Sequence, residues 1–180
     1  MHRTDAISLV GMTGVGKTTV GRALARRLGR DFIDLDIAIA EKCGKTPSEI
    51  FALFGEAAFR RIETEQLEAI FEARPENLVL SCGGGIVIGE KNREILKAGS
   101  YVAWLWRPIG EIAKNKDILL RPPIYGDIHN YERIFSEREK LYAAVCDLKI
   151  DCTDASAAVE AIAKNIERIE AEEGRAPSRQ

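Results

Sequence analysis

The stretch Gly11 to Thr19, GMTGVGKTT, sets glycines at 11, 14 and 16 ahead of Lys17 and Thr18 in the spacing GxxxxGK[ST]. The chemistry this supports is polyphosphate binding. Glycines let the backbone turn tightly and aim its amides inward, and a helix N-terminus adds positive potential. Lys17 would reach the β and γ phosphates of a nucleotide, and Thr18 would give its hydroxyl to Mg²⁺. The candidate nucleotide-binding residues are therefore Gly14, Val15, Gly16, Lys17, Thr18 and Thr19. The motif requires a strand before it and a helix after it; the apolar run Ala6 to Val10 and a helical pattern from about Lys17 meet that requirement.

Three further constellations follow. FIDLD sets Asp34 and Asp36 two residues apart at the end of an apolar run. Positions i and i+2 share one side of a strand, so both carboxylates are expected to project from the carboxyl edge of a sheet, where open α/β sheets bind ligands. One would hold Mg²⁺ directly or through water; the other would take a proton from an attacking hydroxyl. The alternative is a turn aspartate followed by a helix N-cap, a role Asp36 could fill for IAIAEKC. In GEAAFRRIE, Phe59 and Ile62 take core-facing positions with Arg60 beside them. Arg60 is either a solvated arginine paired with Glu56 or Glu63, or a guanidinium fork for a small carboxylate. In SCGGGIV, Gly83, Gly84 and Gly85 strip the end of a strand of side chains, so a ligand can approach the backbone. Neither histidine suits catalysis: His2 is terminal, and His129 lies in a polar stretch.

These residues need a scaffold, and the chain has room for one. Its 180 residues, 46% of them hydrophobic, fit a single domain with a full core. A net charge of −2 gives no basic field for nucleic acid or anionic membrane. With no run of 18 apolar residues and no apolar leader, the expectation is a soluble, cytoplasmic protein. Cys43, Cys82, Cys146 and Cys152 lack zinc spacing and read as reduced, mostly buried thiols. Strands are expected at Ile7 to Val10, Phe32 to Asp34, Leu78 to Ser81, Tyr101 to Trp106 and Leu148 to Asp151. Helices are expected at about 17–28, 36–43, 47–54, 56–73, 89–97, 109–115, 130–146 and 155–172. This alternation is that of a parallel sheet with helices on both faces. The interval Lys116 to Ile128, with two prolines and a glycine, reads as a long functional loop. The polar tail, residues 173–180, is expected to fray.

Taken in order, GMTGVGKTT, FIDLD, CGKTPSEIFALFGEAAFRRIE, SCGGGIV, LLRPP and SEREKLYAAVCDLKID resemble the shikimate kinases, P-loop kinases similar to the nucleoside monophosphate kinases. The resemblance runs from Ile7 to about Ile169. It implies a three-layer α/β/α P-loop kinase fold on a five-stranded parallel sheet, with a helical substrate-binding subdomain at about 34–63 and a mobile lid at 116–128. It implies phosphorylation of shikimate by ATP with Mg²⁺, a step of aromatic amino acid biosynthesis, without nucleic-acid or membrane partners and as a monomer. Asp34 resembles the carboxylate near Mg²⁺, Asp36 the one that binds substrate hydroxyls and acts as base, and Ser81 a residue assisting the metal's water shell. Arg60 and Arg138 resemble the pair that clamps the shikimate carboxylate, Gly83 to Gly85 the wall against its ring, and Arg121 the lid arginine over the phosphates. Three positions depart from the family pattern. Lys114 or Asn115 stands where an arginine stacks on adenine, Pro123 follows Pro122 where leucine is common, and Cys82 precedes the glycines. A different small-molecule kinase, for gluconate or a nucleotide, would keep the phosphate loop but has no need of the glycine run with Arg60 and Arg138. An inactive nucleotide-binding or effector-sensing module would have lost Lys17, Asp36 or Arg121, and all three are present.

Overall fold

The computed structural model describes residues 3–73, 75–113 and 128–174. Its five strands are β1 (Ala6–Val10), β2 (Asp31–Asp34), β3 (Leu78–Ser81), β4 (Tyr101–Trp106) and β5 (Leu148–Asp151). They form one all-parallel sheet in the order β2-β3-β1-β4-β5. The helices are α1 (Lys17–Leu28), α2 (Leu35–Cys43), α3 (Pro47–Glu72), α4 (Glu90–Gly99), α5 (Ile109–Ala113), α6 (Ile128–Val145) and α7 (Ala155–Glu172). Short 3-10 turns at Arg3–Asp5 and Ile86–Ile88 carry no period that a sequence pattern would show.

Both faces of the sheet are buried, as parallel sheets require. Ile7, Leu9, Val79, Ala103 and Leu105 point to one face with α1 and α7; Ala6, Val10, Leu80, Val102 and Trp104 point to the other with α3, α4 and α6. The C-terminal helix is pinned at its far end, where Glu170 accepts from the buried Arg30 at 2.6 Å. Removing either partner would strip the other buried charge of this ion pair.

In α3, Thr46 and Glu49 close a reciprocal capping box, with Pro47 in the first turn. The two helices expected at 47–54 and 56–73 join into one run interrupted at Gly55, whose φ of 80° and ψ of 171° lie outside the helical region. Ahead of this break, Thr46, Pro47, Ser48 and Phe51 lie around the same space as Asp36 and the three glycines. At the carboxyl edge of the sheet the register aligns Leu9 with Ser81 and Ser81 with Asp34. The ends of β1, β3 and β2 thus deliver the glycine-rich loop, the three glycines and the aspartates side by side. The proposed lid up to residue 127, with Arg121, Lys114 and Asn115, and the tail beyond 174 lie outside the described residues.

Candidate active site

The phosphate loop follows β1 and takes the backbone its glycines permit: φ is 141° at Gly11, 84° at Gly14 and 105° at Gly16. Gly11 is required for space as well, because a Cβ there would collide with the carbonyl oxygen of Leu105 on β4. Gly16 opens α1 without a side-chain cap, and no acidic residue sits in the first turn. The amides and positive end of α1 are therefore left to an anion. Lys17 is 8% exposed, and its Nζ donates to the carbonyls of Gly11 and Met12 at 2.8 and 2.9 Å. The ammonium is thus folded back across the loop.

The two aspartates separate, which corrects the expectation from strand spacing. β2 ends at Asp34 and α2 begins at Leu35, so Asp36 lies in the first helical turn and no longer shares a strand face with Asp34. The N-cap is Asp34, not Asp36: its Oδ1 accepts from the amides of Asp36 and Ile37. Its Oδ2 accepts from Thr18 Oγ1 at 2.7 Å. A hydroxyl and a carboxylate beside the phosphate loop fit Mg²⁺, which takes one or two protein oxygens and completes its shell from phosphates and water. Among the described residues no group of three or more His, Cys, Asp or Glu could hold a metal by itself. Asp36 instead faces the glycine run, and a Cβ built on Gly83 would lie 3.0 Å from its Oδ1.

Beside the phosphate loop lies a cavity of about 380 Å³, lined by Thr13, Asp36, Phe51, Phe59, Arg60, Glu63, Arg138, the three glycines and the start of α3 at 46–48. That size suits a small molecule. Arg60 is held from four sides. It donates to Glu56 at 3.2 Å and to Glu63 at 2.8 Å, and it lies 5.5 and 5.2 Å from the rings of Phe51 and Phe59. Arg60 is thus ion-paired to both glutamates, as the first sequence reading has it, and it also lines the cavity. Glu63 is fully buried. Burial pushes its carboxyl above the ordinary value although the Arg60 guanidinium pulls the other way, and the nearby Asp36 charge adds to the rise. Its Oε1 has no hydrogen-bond partner among the described residues. Arg138 enters from α6 and donates to the Gly84 carbonyl at 3.1 Å.

Each glycine of the run abuts a different functional group. A Cβ on Gly83 would sit 2.8 Å from Glu63 Oε1; one on Gly84 would sit 2.5 Å from Thr13 Oγ1 and 2.8 Å from the Thr13 amide; one on Gly85 would overlap the Arg60 guanidinium. A methyl at Gly84 meets backbone and must displace the phosphate loop, whereas one at Gly85 meets a side-chain tip that can swing away. Gly84→Ala is accordingly expected to lower turnover by roughly 10²-fold, the scale of a ~1 Å misplacement of reacting groups. Gly85→Ala should act mainly on the affinity of a ligand bound in the cavity beside Arg60. Steady-state kinetics with each substrate varied checks both, and wild-type values for Gly84→Ala would refute the contact argument.

The structure thus brings Lys17, Thr18, Asp34, Asp36, Arg60, Gly83, Gly84, Gly85 and Arg138 to one edge of the sheet. Ser81, buried, lies in register beside Asp34. Thr13, Phe51, Tyr131 and Tyr142 were not singled out in the sequence. The intervals of seven and four that set Tyr131 and Tyr142 beside Arg138 are the helical signal by which those two could have been found. All four cysteines are free; Cys82 and Cys152 are buried, and burial raises both thiols above their ordinary value. No helix among the described residues is long and apolar enough to cross a membrane.

Comparison with known proteins agrees with this arrangement. A family model described as shikimate kinase matches residues 13–170. Shikimate kinase 2 of Dickeya chrysanthemi is 39% identical over 162 residues, covering 87% of this chain and 92% of its own. Shikimate kinase of Symbiobacterium thermophilum is 35% identical over 169 residues, covering 91% and 95%. Among solved structures, shikimate kinase from Acinetobacter baumannii in complex with shikimate superposes with a TM-score of 0.81 at 32% identity, over 94% of each chain. The Aquifex aeolicus enzyme gives 0.78 at 30% identity, over 90% of this chain and 96% of that one.

Proposed function

We propose that this chain, which belongs to the shikimate kinase family, transfers the γ-phosphoryl group of ATP to a hydroxyl of shikimate, releasing ADP and shikimate 3-phosphate. The observation that carries this reading is the meeting of two pockets at Thr13 and Gly84. One is built for a polyphosphate; the other offers two guanidinium groups, an aspartate and an aromatic wall to a small hydroxylated carboxylate.

Arg60 and Arg138 bind the acceptor's carboxylate, and the glycine run lies against its ring. This orientation presents a hydroxyl to Asp36 and to the phosphate loop. The hydroxyl oxygen attacks the γ-phosphorus, the bond to the β–γ bridging oxygen breaks, and the hydroxyl proton passes to Asp36. Such a transfer has a loose transition state, so positioning and charge neutralisation dominate, and no covalent enzyme intermediate is needed. Gly14 to Thr19 wrap the phosphates, with Lys17 on the β and γ groups. Thr18 and Asp34 would hold Mg²⁺, which when bound neutralises charge on the same phosphates. Arg121, carried on the 116–128 interval, is assigned to the phosphates as a lid residue, and 34–63 to the subdomain that binds the acceptor. The enzyme works as a cytoplasmic monomer in this reading.

The test is a coupled ADP-release assay with ATP and Mg²⁺ against shikimate, quinate, gluconate and the nucleoside monophosphates. Shikimate should be preferred by a large factor. Preference for gluconate or a nucleotide would overturn the acceptor assignment while leaving the phosphate loop intact.

A further inference from the structure

The two pockets are joined through a single helix. Tyr131, Arg138 and Tyr142 of α6 lie seven and four residues apart, close to two turns and one turn, so they share one face. At one end of that face Tyr131 Oη donates to the carbonyl of Thr13, in the phosphate loop, at 3.0 Å. At the other, Tyr142 Oη donates to the carbonyl of Gly84, in the glycine run, at 2.5 Å, and Arg138 donates to the same oxygen. Thr13 and Gly84 are themselves in contact, as the space above Gly84 shows. Both tyrosines are fully buried, and Tyr142 is further fixed by stacking on Trp104 at 5.6 Å. Burial raises both phenols well above their ordinary value, so at working pH each keeps the proton that it donates to its carbonyl.

From this geometry we infer that Tyr131 and Tyr142 are positioning residues that lock the phosphate loop to the glycine run, so that nucleotide binding at one pocket pre-forms the acceptor site at the other. Neither hydroxyl lines the acceptor cavity. They act through main-chain carbonyls whose residues do line it. Any shift of the phosphate loop on nucleotide binding pulls on Tyr131, and α6 carries the shift to Arg138 and Gly84, which hold the acceptor. The inference rests on the functional reading above. What it adds is that two phenolic hydroxyls, through the Thr13 and Gly84 carbonyls, carry the link between the nucleotide and acceptor affinities. Linkage of this kind is reciprocal and must appear equally in either binding measurement. A chain of contacts counts as a route only when the coupling itself responds to mutation.

The experiment measures shikimate binding by calorimetry with and without ADP plus Mg²⁺, and ADP binding with and without shikimate. It is done on wild type, Tyr131→Phe, Tyr142→Phe and the double variant, alongside kcat. Wild type should show a coupling factor of about 5 or more, the low end for linked sites. Tyr131→Phe should bring that factor close to 1 and lower kcat about 5- to 10-fold, the scale of one lost buried hydrogen bond. Each ligand bound alone should change by no more than about twofold. Tyr142→Phe leaves Arg138 on the Gly84 carbonyl and should give a smaller loss, and the double variant should add little to Tyr131→Phe. If Tyr131→Phe does not fold, Tyr142→Phe carries the same readouts. A coupling factor near 1 in wild type overturns the inference, as does unchanged coupling in both single variants. So does equal weakening of each ligand measured alone, which would mark the tyrosines as merely structural. A wild-type chain that neither binds nor phosphorylates shikimate overturns the functional reading and this inference with it. Normal turnover beside intact coupling in the variants overturns the inference alone.

Discussion

Lys17→Ala is expected to abolish measurable turnover while leaving the far-UV circular dichroism spectrum and shikimate affinity unchanged. The lysine is buried, and its ammonium already sits over the loop, held by the Gly11 and Met12 carbonyls. In the proposed reaction it exchanges those carbonyls for the phosphate oxygens a short distance away, and a donor fixed beside developing charge stabilises a transition state. Deleting one such donor typically lowers kcat by ~10²–10³-fold, and Lys17 also contributes to holding the ground-state phosphates. The fold should survive because α1 is anchored elsewhere, through Val20, Leu24 and Leu28 in the core beneath the sheet. Retained shikimate binding separates lost chemistry from a collapsed site, since the acceptor cavity is built from α2, α3, α6, the glycine run and Thr13, and Lys17 does not line it. Wild-type turnover in this variant would refute the assignment of the phosphate loop.

Much of this site was legible because its parts are short and local. GMTGVGKTT constrains its own backbone, and the observed φ values at Gly11, Gly14 and Gly16 are those the glycines were there to permit. The five strands and their helices were legible because a parallel sheet buried on both faces writes continuous apolar runs between amphipathic segments. The geometry of Asp34 and Asp36 was misread at a boundary. Strand spacing was carried two residues too far, when the chain had already turned into α2 and Asp34 had become the cap. Element ends depend on capping, and an aspartate at each candidate position leaves the sequence ambiguous. Glu63 posed a different difficulty. As one of several acids beside Arg60 it reads as a solvated counter-charge, and only the packing of α3 against the glycine run shows that it is buried completely. The contacts of Tyr131 with Thr13 and of Tyr142 with Gly84 span 118 and 58 residues, distances over which no local pattern speaks.

Arg60→Ala should have two separable effects, because Arg60 pairs with Glu63 and is the proposed partner of the acceptor's carboxylate. The first is on binding: stripping one partner from a desolvated charge pair costs about 2–5 kcal/mol, so shikimate affinity should fall by that amount while ATP affinity barely moves. The second is on stability and carries a definite sign. Burial already holds the Glu63 carboxyl above its ordinary value, and Arg60 is the largest influence restraining the rise. Without Arg60 the folded-state value climbs further, while the unfolded-state value stays where it was. Between the two the folded chain binds more protons than the unfolded one, so stability falls as pH rises through that window. The deficit of Arg60→Ala relative to wild type should therefore be smallest in mild acid and grow toward neutral and higher pH. Arg60→Ala/Glu63→Gln removes the titrating group and should remove the pH-dependent part of the deficit, leaving the loss of shikimate affinity in place. Urea unfolding midpoints across the pH range, with calorimetry for both ligands, test the two effects independently. ATP weakened as much as shikimate would disprove the carboxylate clamp, and a deficit that shrinks with rising pH would show that Glu63 is not the group that Arg60 restrains.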